Sequence, residues 1–398
     1  MTNSPHSVNP RSNNPRSGSP HRDSLLLQRL SKYALGAGIV LVVLSLVALL
    51  LDPLQFERSY LVAFFFTLAP AAGALALLAI YRLTGGRWGD AIFDILAVAV
   101  RTLPFFALLF VPILIGLGDV FPWAAPGWAE SEAATQHKLL YLDVRFFVAR
   151  AVLYFAIWSW LAHRTLAPTT ETASTRAKGQ GAMALLAYVL TTTFAAFDWG
   201  MSLGPEWYST MYGFIVIVGQ ILSALTLAIL IRWLLDRIHP ERALEAQGYH
   251  DLGTLLFAFV TTWAYLGFSQ FLIIWSADLP EEVGYYMERL APGWKVVATA
   301  ILIVHFAVPF MLLLMRKVKR KARHLALVCA LVFAARLLEF IWLIVPAFHQ
   351  EEFRIHWLDL VLPLALLSLW CWIVLGTLHK RLAAHSPPLS TLEPTVTP

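Results

Sequence analysis

The chain has 398 residues, of which 58% are hydrophobic and only 14% charged, and it carries a net charge of +5. Both fractions lie outside the range of ordinary soluble domains, and the apolar residues gather in runs of about 20, the length that crosses about 30 Å of hydrocarbon. A soluble enzyme is excluded, and so is a β-barrel, which needs segments of about ten residues with alternating hydrophobicity.

Residues 1–32 open the chain as a tail rich in Ser, Asn and Pro, a composition that cannot bury enough apolar surface to fold. Ten predicted spans follow, at 33–51, 59–81, 90–116, 141–163, 180–203, 208–234, 251–276, 293–315, 324–347 and 356–378. The fold class is therefore an all-α polytopic membrane protein, with a ten-helix domain over 33–379. The first apolar run lies behind a tail and is followed by more spans, so it reads as an anchor, not a cleaved signal peptide. Between spans, 117–140 contains VFPWAAPGWAE, whose Trp123 and Trp128 suit a membrane interface. The polar loop 164–179 is expected to be mobile. The loop 277–292, ADLPEEVGYYMERLAP, is acidic and aromatic and suits either docking a partner or capping the interface. Residues 380–398 form a second disordered tail.

Charge fixes the expected orientation. Of the 30 Lys and Arg residues, 21 fall on segments that share a side with the N-terminus, six on the opposite side, and three (Arg101, Arg150 and Arg336) within spans. That bias predicts both termini in the cytoplasm. The positive charge then serves topology and attraction to anionic membrane lipids, not nucleic-acid binding. The basic run RKVKRKAR, Arg316 to Arg323, reads as a stop-transfer and headgroup contact.

Polar residues recur inside the spans at helical spacing. The third carries Asp90, Asp94 and Arg101 on one face, the fourth Asp143, Arg150 and Tyr154, and the fifth Thr191, Asp198 and Ser202. Gln220 lies on the sixth, and the seventh offers Asp251, Thr254, Thr261, Tyr265, Ser269 and Gln270. His305 lies mid-span on the eighth, and Arg336 and Glu339 stand three apart on the ninth, close enough to pair. The Ser and Thr positions read as interhelical hydrogen-bond partners, each worth about 0.6 kcal/mol. Arg336 with Glu339 suits a structural pair and a functional one equally. Asp198, His305 and Arg150 have no opposite charge three or four residues away on their own helices. An ionised group at mid-bilayer costs about 2.5–3.5 kcal/mol on insertion scales, so such residues point to proton handling or ligand orientation. Histidine suits that role because modest shifts carry its pKa across neutrality.

Redox ligands are missing from the pattern. Cys329 and Cys371 both fall in spans, and neither a disulfide framework nor a Cys-rich metal or iron–sulfur motif is available. Only His305 of the twelve histidines lies at mid-depth, whereas a haem bundle needs facing axial pairs. If the chain serves electron transfer, other chains must carry the electrons.

Three blocks carry a family resemblance: FAAFDWGMSLGPEWYSTMYG (Phe194 to Gly213), DLGTLLFAFVTTWAYLGFSQFLIIWSADLPEE (Asp251 to Glu282) and HFAVPFMLLLMRKVKR (His305 to Arg320). With RLLEFIWLIVPAF (Arg336 to Phe348) they resemble the F subunit of bacterial alternative complex III, one of the polysulfide-reductase-like (NrfD-type) membrane subunits. The similarity covers most of residues 59–347. It implies ten helices in the bacterial inner membrane, with spans two to five and six to nine (about 59–203 and 208–347) forming four-helix bundles of related, inverted topology. The first and last helices would flank them. It also implies a subunit of a quinol:electron-acceptor oxidoreductase that is not catalytic alone. Haem c and iron–sulfur clusters would sit on partner subunits beside a second polysulfide-reductase-like subunit. Asp198, Gln270, His305, Arg336 and Glu339 match the family's polar path, which is linked to proton movement. Arg150, Asp94 and Arg101 are further candidates from the residues alone. The long Ser/Pro-rich N-terminal tail has no counterpart in the family.

Two other functions remain open at this level. His305 or Asp198 could hydrogen-bond a quinone headgroup directly. A secondary transporter would need helices broken at the midplane, for which Pro104 and Pro309 are candidates.

Overall fold

The computed structural model describes residues 20–130, 136–166, 175–349 and 353–384. Most of the tails and the centre of the loop expected to be mobile lie outside these. Among the described residues, ten helices are long and apolar enough to cross a membrane: α1 (Leu26–Leu51), α2 (Pro53–Thr84), α3 (Arg87–Ile115), α4 (Val144–Leu166), α5 (Ala177–Leu203), α6 (Thr210–Ile238), α7 (Ala246–Ala277), α8 (Trp294–Leu314), α9 (Ala322–Phe348) and α10 (Leu358–Ala383). Each overlaps one predicted span, and no strand occurs among the described residues. The helix containing α1 already begins at Pro20, so residues 20–32 are helical, not part of the expected disordered tail.

Local chemistry sets the breaks. Asp52 caps α2 by accepting the Gln55 backbone N–H at 3.1 Å, with Pro53 at the first helical position. Gly85 and Gly86 turn α2 into α3 with φ of +64° and +105°, conformations that a side chain would strain. Helix α3 is interrupted at Arg101–Thr102, just before Pro104, which lacks an N–H and crowds the carbonyl four residues back. In α8 a π-turn spans Leu302–Ala307, immediately ahead of Pro309.

Helices α2 and α6 form the centre and pack on each other. Contact there is close because Gly73 has no side chain: a Cβ would overlap the Gln220 carbonyl and lie 2.9 Å from the Ile221 nitrogen. Around α2 gather α3, α4 and α5, while α7 and α9 pack on α6 and α8 packs on α7 and α9, giving two four-helix bundles. Helices α1 and α10 flank them as a pair, joined where the Ser31 hydroxyl donates to the Trp372 carbonyl at 3.1 Å. Helix α10 also packs on α2, where Ser59 donates to the Asp359 carboxylate at 2.6 Å.

With ten consecutive spans, the start of α1 and the end of α10 fall on the same side of the helix array, here called the terminal side; the other is the far side. One feature of the expected topology is corrected. Four spans separate the starts of α2 and α6, so both helices start on the far side. The two bundles therefore have the same sense through the membrane instead of an inverted one, because an even number of crossings restores the starting side.

Candidate functional site

In each bundle the third and fourth helices meet at a buried ionic group. In the first, Asp198 of α5 is fully buried. Its Oδ2 accepts from Arg150 Nε of α4 at 2.8 Å and from the Tyr154 hydroxyl at 2.7 Å. Arg150 is held in turn by the Tyr141 carbonyl, 3.0 Å from Nη1, and its guanidinium lies 4.0 Å from the Tyr141 ring centre. An aromatic box fixes the backbone. Trp199, next to Asp198, packs against Phe110 at 4.7 Å, Phe155 at 5.6 Å and Phe64 and Trp158 at 5.8 Å. Such ring packing and the paired charges lock α4 to α5 near the far side.

The second group joins α7, α8 and α9. Arg336 pairs with Glu339 one turn along α9, as their spacing predicts, and both are buried. Glu339 Oε1 accepts from the Trp263 indole at 2.8 Å, while Oε2 lies 3.3 Å from His305 Nδ1. The His305 and Trp263 rings stand 4.0 Å apart, and the Arg336 guanidinium lies 4.7 Å from the Phe340 ring centre. The π-turn holds His305 fully inside while Leu302 and Ile303 face outward. Gly219 of α6 makes the remaining room, since a Cβ there would overlap the Arg336 guanidinium. The next residue, Gln220, accepts from the Tyr188 hydroxyl of α5 at 2.6 Å. Polar groups thus line up across the seam between the bundles.

This group is incompletely satisfied. Both ring nitrogens of His305, and Nε and Nη2 of Arg336, are buried without a hydrogen-bond partner among the described residues. Chemically, a carboxylate shared by a guanidinium, an indole and an imidazole can bind and release one proton, with His305 Nδ1 and Glu339 Oε2 as the exchanging atoms.

The other candidates lie apart. Gln270 is buried on α7, two turns from Trp263, with its Oε1 unpartnered. Asp94 is half-exposed and pairs with Arg381 of the last helix at 3.0 Å. Arg101 faces outward and joins neither ionic group. Thr191 takes an interhelical bond from Trp158 at 2.9 Å, as expected of such residues, while Ser202 takes one from Trp123 of the segment between α3 and α4 at 3.1 Å. Thr254 and Thr261, by contrast, face outward and bond to carbonyls of their own helix. Trp263 and Gly219 were not legible as site residues. The only available signal for Trp263 was its seven-residue spacing from Gln270, which places both on one helical face.

A pocket of about 520 Å³ opens on the far side, lined by Met201, Glu206, Trp207, Tyr285, Glu288 and Arg289 among others. Trp207 and Tyr285 stack at 3.8 Å, and the Arg289 guanidinium lies 3.6 Å from the Tyr285 ring centre. Burial pushes the Glu288 carboxyl up, and the Arg289 charge holds part of that shift back. Neither Asp198 nor the His305–Glu339 group lines this pocket. Compared with models of known protein families the chain matches none, and no curated protein is significantly similar to it.

Proposed function

We propose that this chain is an integral membrane subunit, without a redox centre of its own, of a respiratory quinol:electron-acceptor oxidoreductase of the alternative complex III type. The resemblance of the three sequence blocks supports this reading, and the arrangement of two four-helix bundles with a flanking helix pair agrees with it. Haem c and iron–sulfur subunits would then carry the electrons, while this chain supplies scaffold and a proton station. The observation that carries the proton role is the fully buried His305, whose Nδ1 lies 3.3 Å from Glu339 Oε2. The Arg336 guanidinium and the Trp263 indole both hold the Glu339 carboxylate that faces His305. Asp198, held by Arg150 and Tyr154, is the second station, nearer the far side.

Isolation of the tagged chain from its native membranes in mild detergent tests membership. Chains with haem c absorbance and quinol-dependent reduction of an acceptor should co-purify. Isolation alone, or with partners lacking redox centres, would overturn the assignment. In the reconstituted complex, Asp198→Asn and His305→Asn should leave assembly intact but lower the protons moved per electron. An unchanged ratio in both would leave these residues a structural role only.

A further inference from the structure

Arg101 presents a charge where a lipid bilayer offers none. It is exposed at the interruption of α3, and no ion pair among the described residues includes it. Two helices place its depth independently. Arg101 lies midway along Arg87–Ile115, and the neighbouring Thr102 hydroxyl accepts a 2.9 Å bond from Trp370, itself near the middle of Leu358–Ala384. Hydrocarbon of about 30 Å leaves such a residue about 15 Å from either edge, too deep for an arginine stem to carry its head into the interface. Arg101, Phe105 and Leu108 follow one another at helical spacing, and Phe105 and Leu108 are also exposed, forming one outward row.

We propose that this row seats a transmembrane helix of a different protein chain, which presents an Asp or Glu side chain to the Arg101 guanidinium. Lipid phosphates are out of reach at that depth. A second copy of this chain does not match either. Its carboxylates inside the spans, Asp198 near the far side and Glu339, are buried and already paired. Glu57, Asp90, Asp236, Asp251 and Asp359 lie near helix ends, and Asp94 is held by Arg381. A foreign helix with one acidic residue among apolar ones satisfies the charge and covers the row in a single contact. This inference does not rest on the function proposed above, because an exposed mid-bilayer cation needs a counter-charge in any assembly.

A photoreactive benzophenone side chain in place of Phe105, in the full-length chain in native membranes, tests it with Arg101 intact. Irradiation should give an adduct with another polypeptide, and the cross-linked peptide should come from an apolar segment containing Asp or Glu. Arg101→Glu should lower adduct yield by about tenfold, and Arg101→Lys should retain most of it. An adduct with lipid alone, with a second copy of this chain, or no adduct would overturn the proposal. So would a yield unchanged by Arg101→Glu in protein that still elutes as a single folded species.

Discussion

Arg336→Met probes the second ionic group most directly. The wild-type guanidinium is fully buried against Glu339 and the Phe340 ring, and methionine fills much of the same volume without charge. Glu339 would keep its 2.8 Å bond from Trp263 but lose its cation, leaving His305 at 3.3 Å as the nearest titratable neighbour. Breaking a buried pair from one side costs about 3–5 kcal/mol, whereas replacing both charges with neutral groups of similar size is often neutral or stabilising. The double variant Arg336→Met with Glu339→Gln should therefore recover most of the loss, since glutamine can still accept the Trp263 N–H. Thermal unfolding in lipid nanodiscs, followed by tryptophan emission, reads both changes, and Trp263 itself packs on His305 at 4.0 Å as a local reporter. A cost below about 1 kcal/mol for the single change, the range of a solvent-exposed pair, would refute the reasoning. A double variant no more stable than the single one would do the same.

Three further outcomes follow from the packing and electrostatics. Gly219→Ala should cost about 1–3 kcal/mol by displacing the Arg336 guanidinium, and the cost should shrink when Arg336→Met is already present; equal costs in both backgrounds would exclude that contact. Gly73→Ala should sharply reduce the yield of folded protein, because the added Cβ meets the backbone of α6, which cannot move aside; Gly204→Ala, with open space around it, is the control, and equal yields would count against close α2–α6 contact. For Glu288, a carboxyl raised in the folded state holds its proton to higher pH than in the unfolded chain. Its cost to stability is thus absent in acid, grows from the ordinary carboxylate range upward and is complete above the raised value. Glu288→Gln should match the wild type in melting temperature at acidic pH and exceed it at neutral pH; the same difference at both would contradict the shift.

Helices and their approximate ends were legible because runs of about 20 apolar residues have few alternatives in a chain this hydrophobic. The Arg336–Glu339 pair was legible too, since three-residue spacing on one helix is a local property. Pairing between helices was not. Nothing in the spacing of Arg150 and Asp198, 48 residues apart, says that their side chains meet at 2.8 Å. The same holds for Trp263 and Glu339, which are joined by the packing of α7 on α9. Glycines were equally silent: Gly73 and Gly219 resemble the other glycines in composition, and only the atoms facing them reveal what they admit. The π-turn at His305 hid behind an unbroken apolar run, with Pro309 as its sole trace.

The flanking pair bears on how the chain is made. Helix α1 leaves the ribosome ahead of the two bundles and α10 after them, yet each is the other's most extensive neighbour, and the Ser31–Trp372 bond joins residues 341 apart. Throughout synthesis the leading helix must wait in lipid with its seat unmade, while the eight helices of the two bundles can already close on one another. A nascent chain arrested before α10 would therefore carry a settled centre and a loose α1. Closure of α10 on α1 therefore comes only after the chain between them has been made.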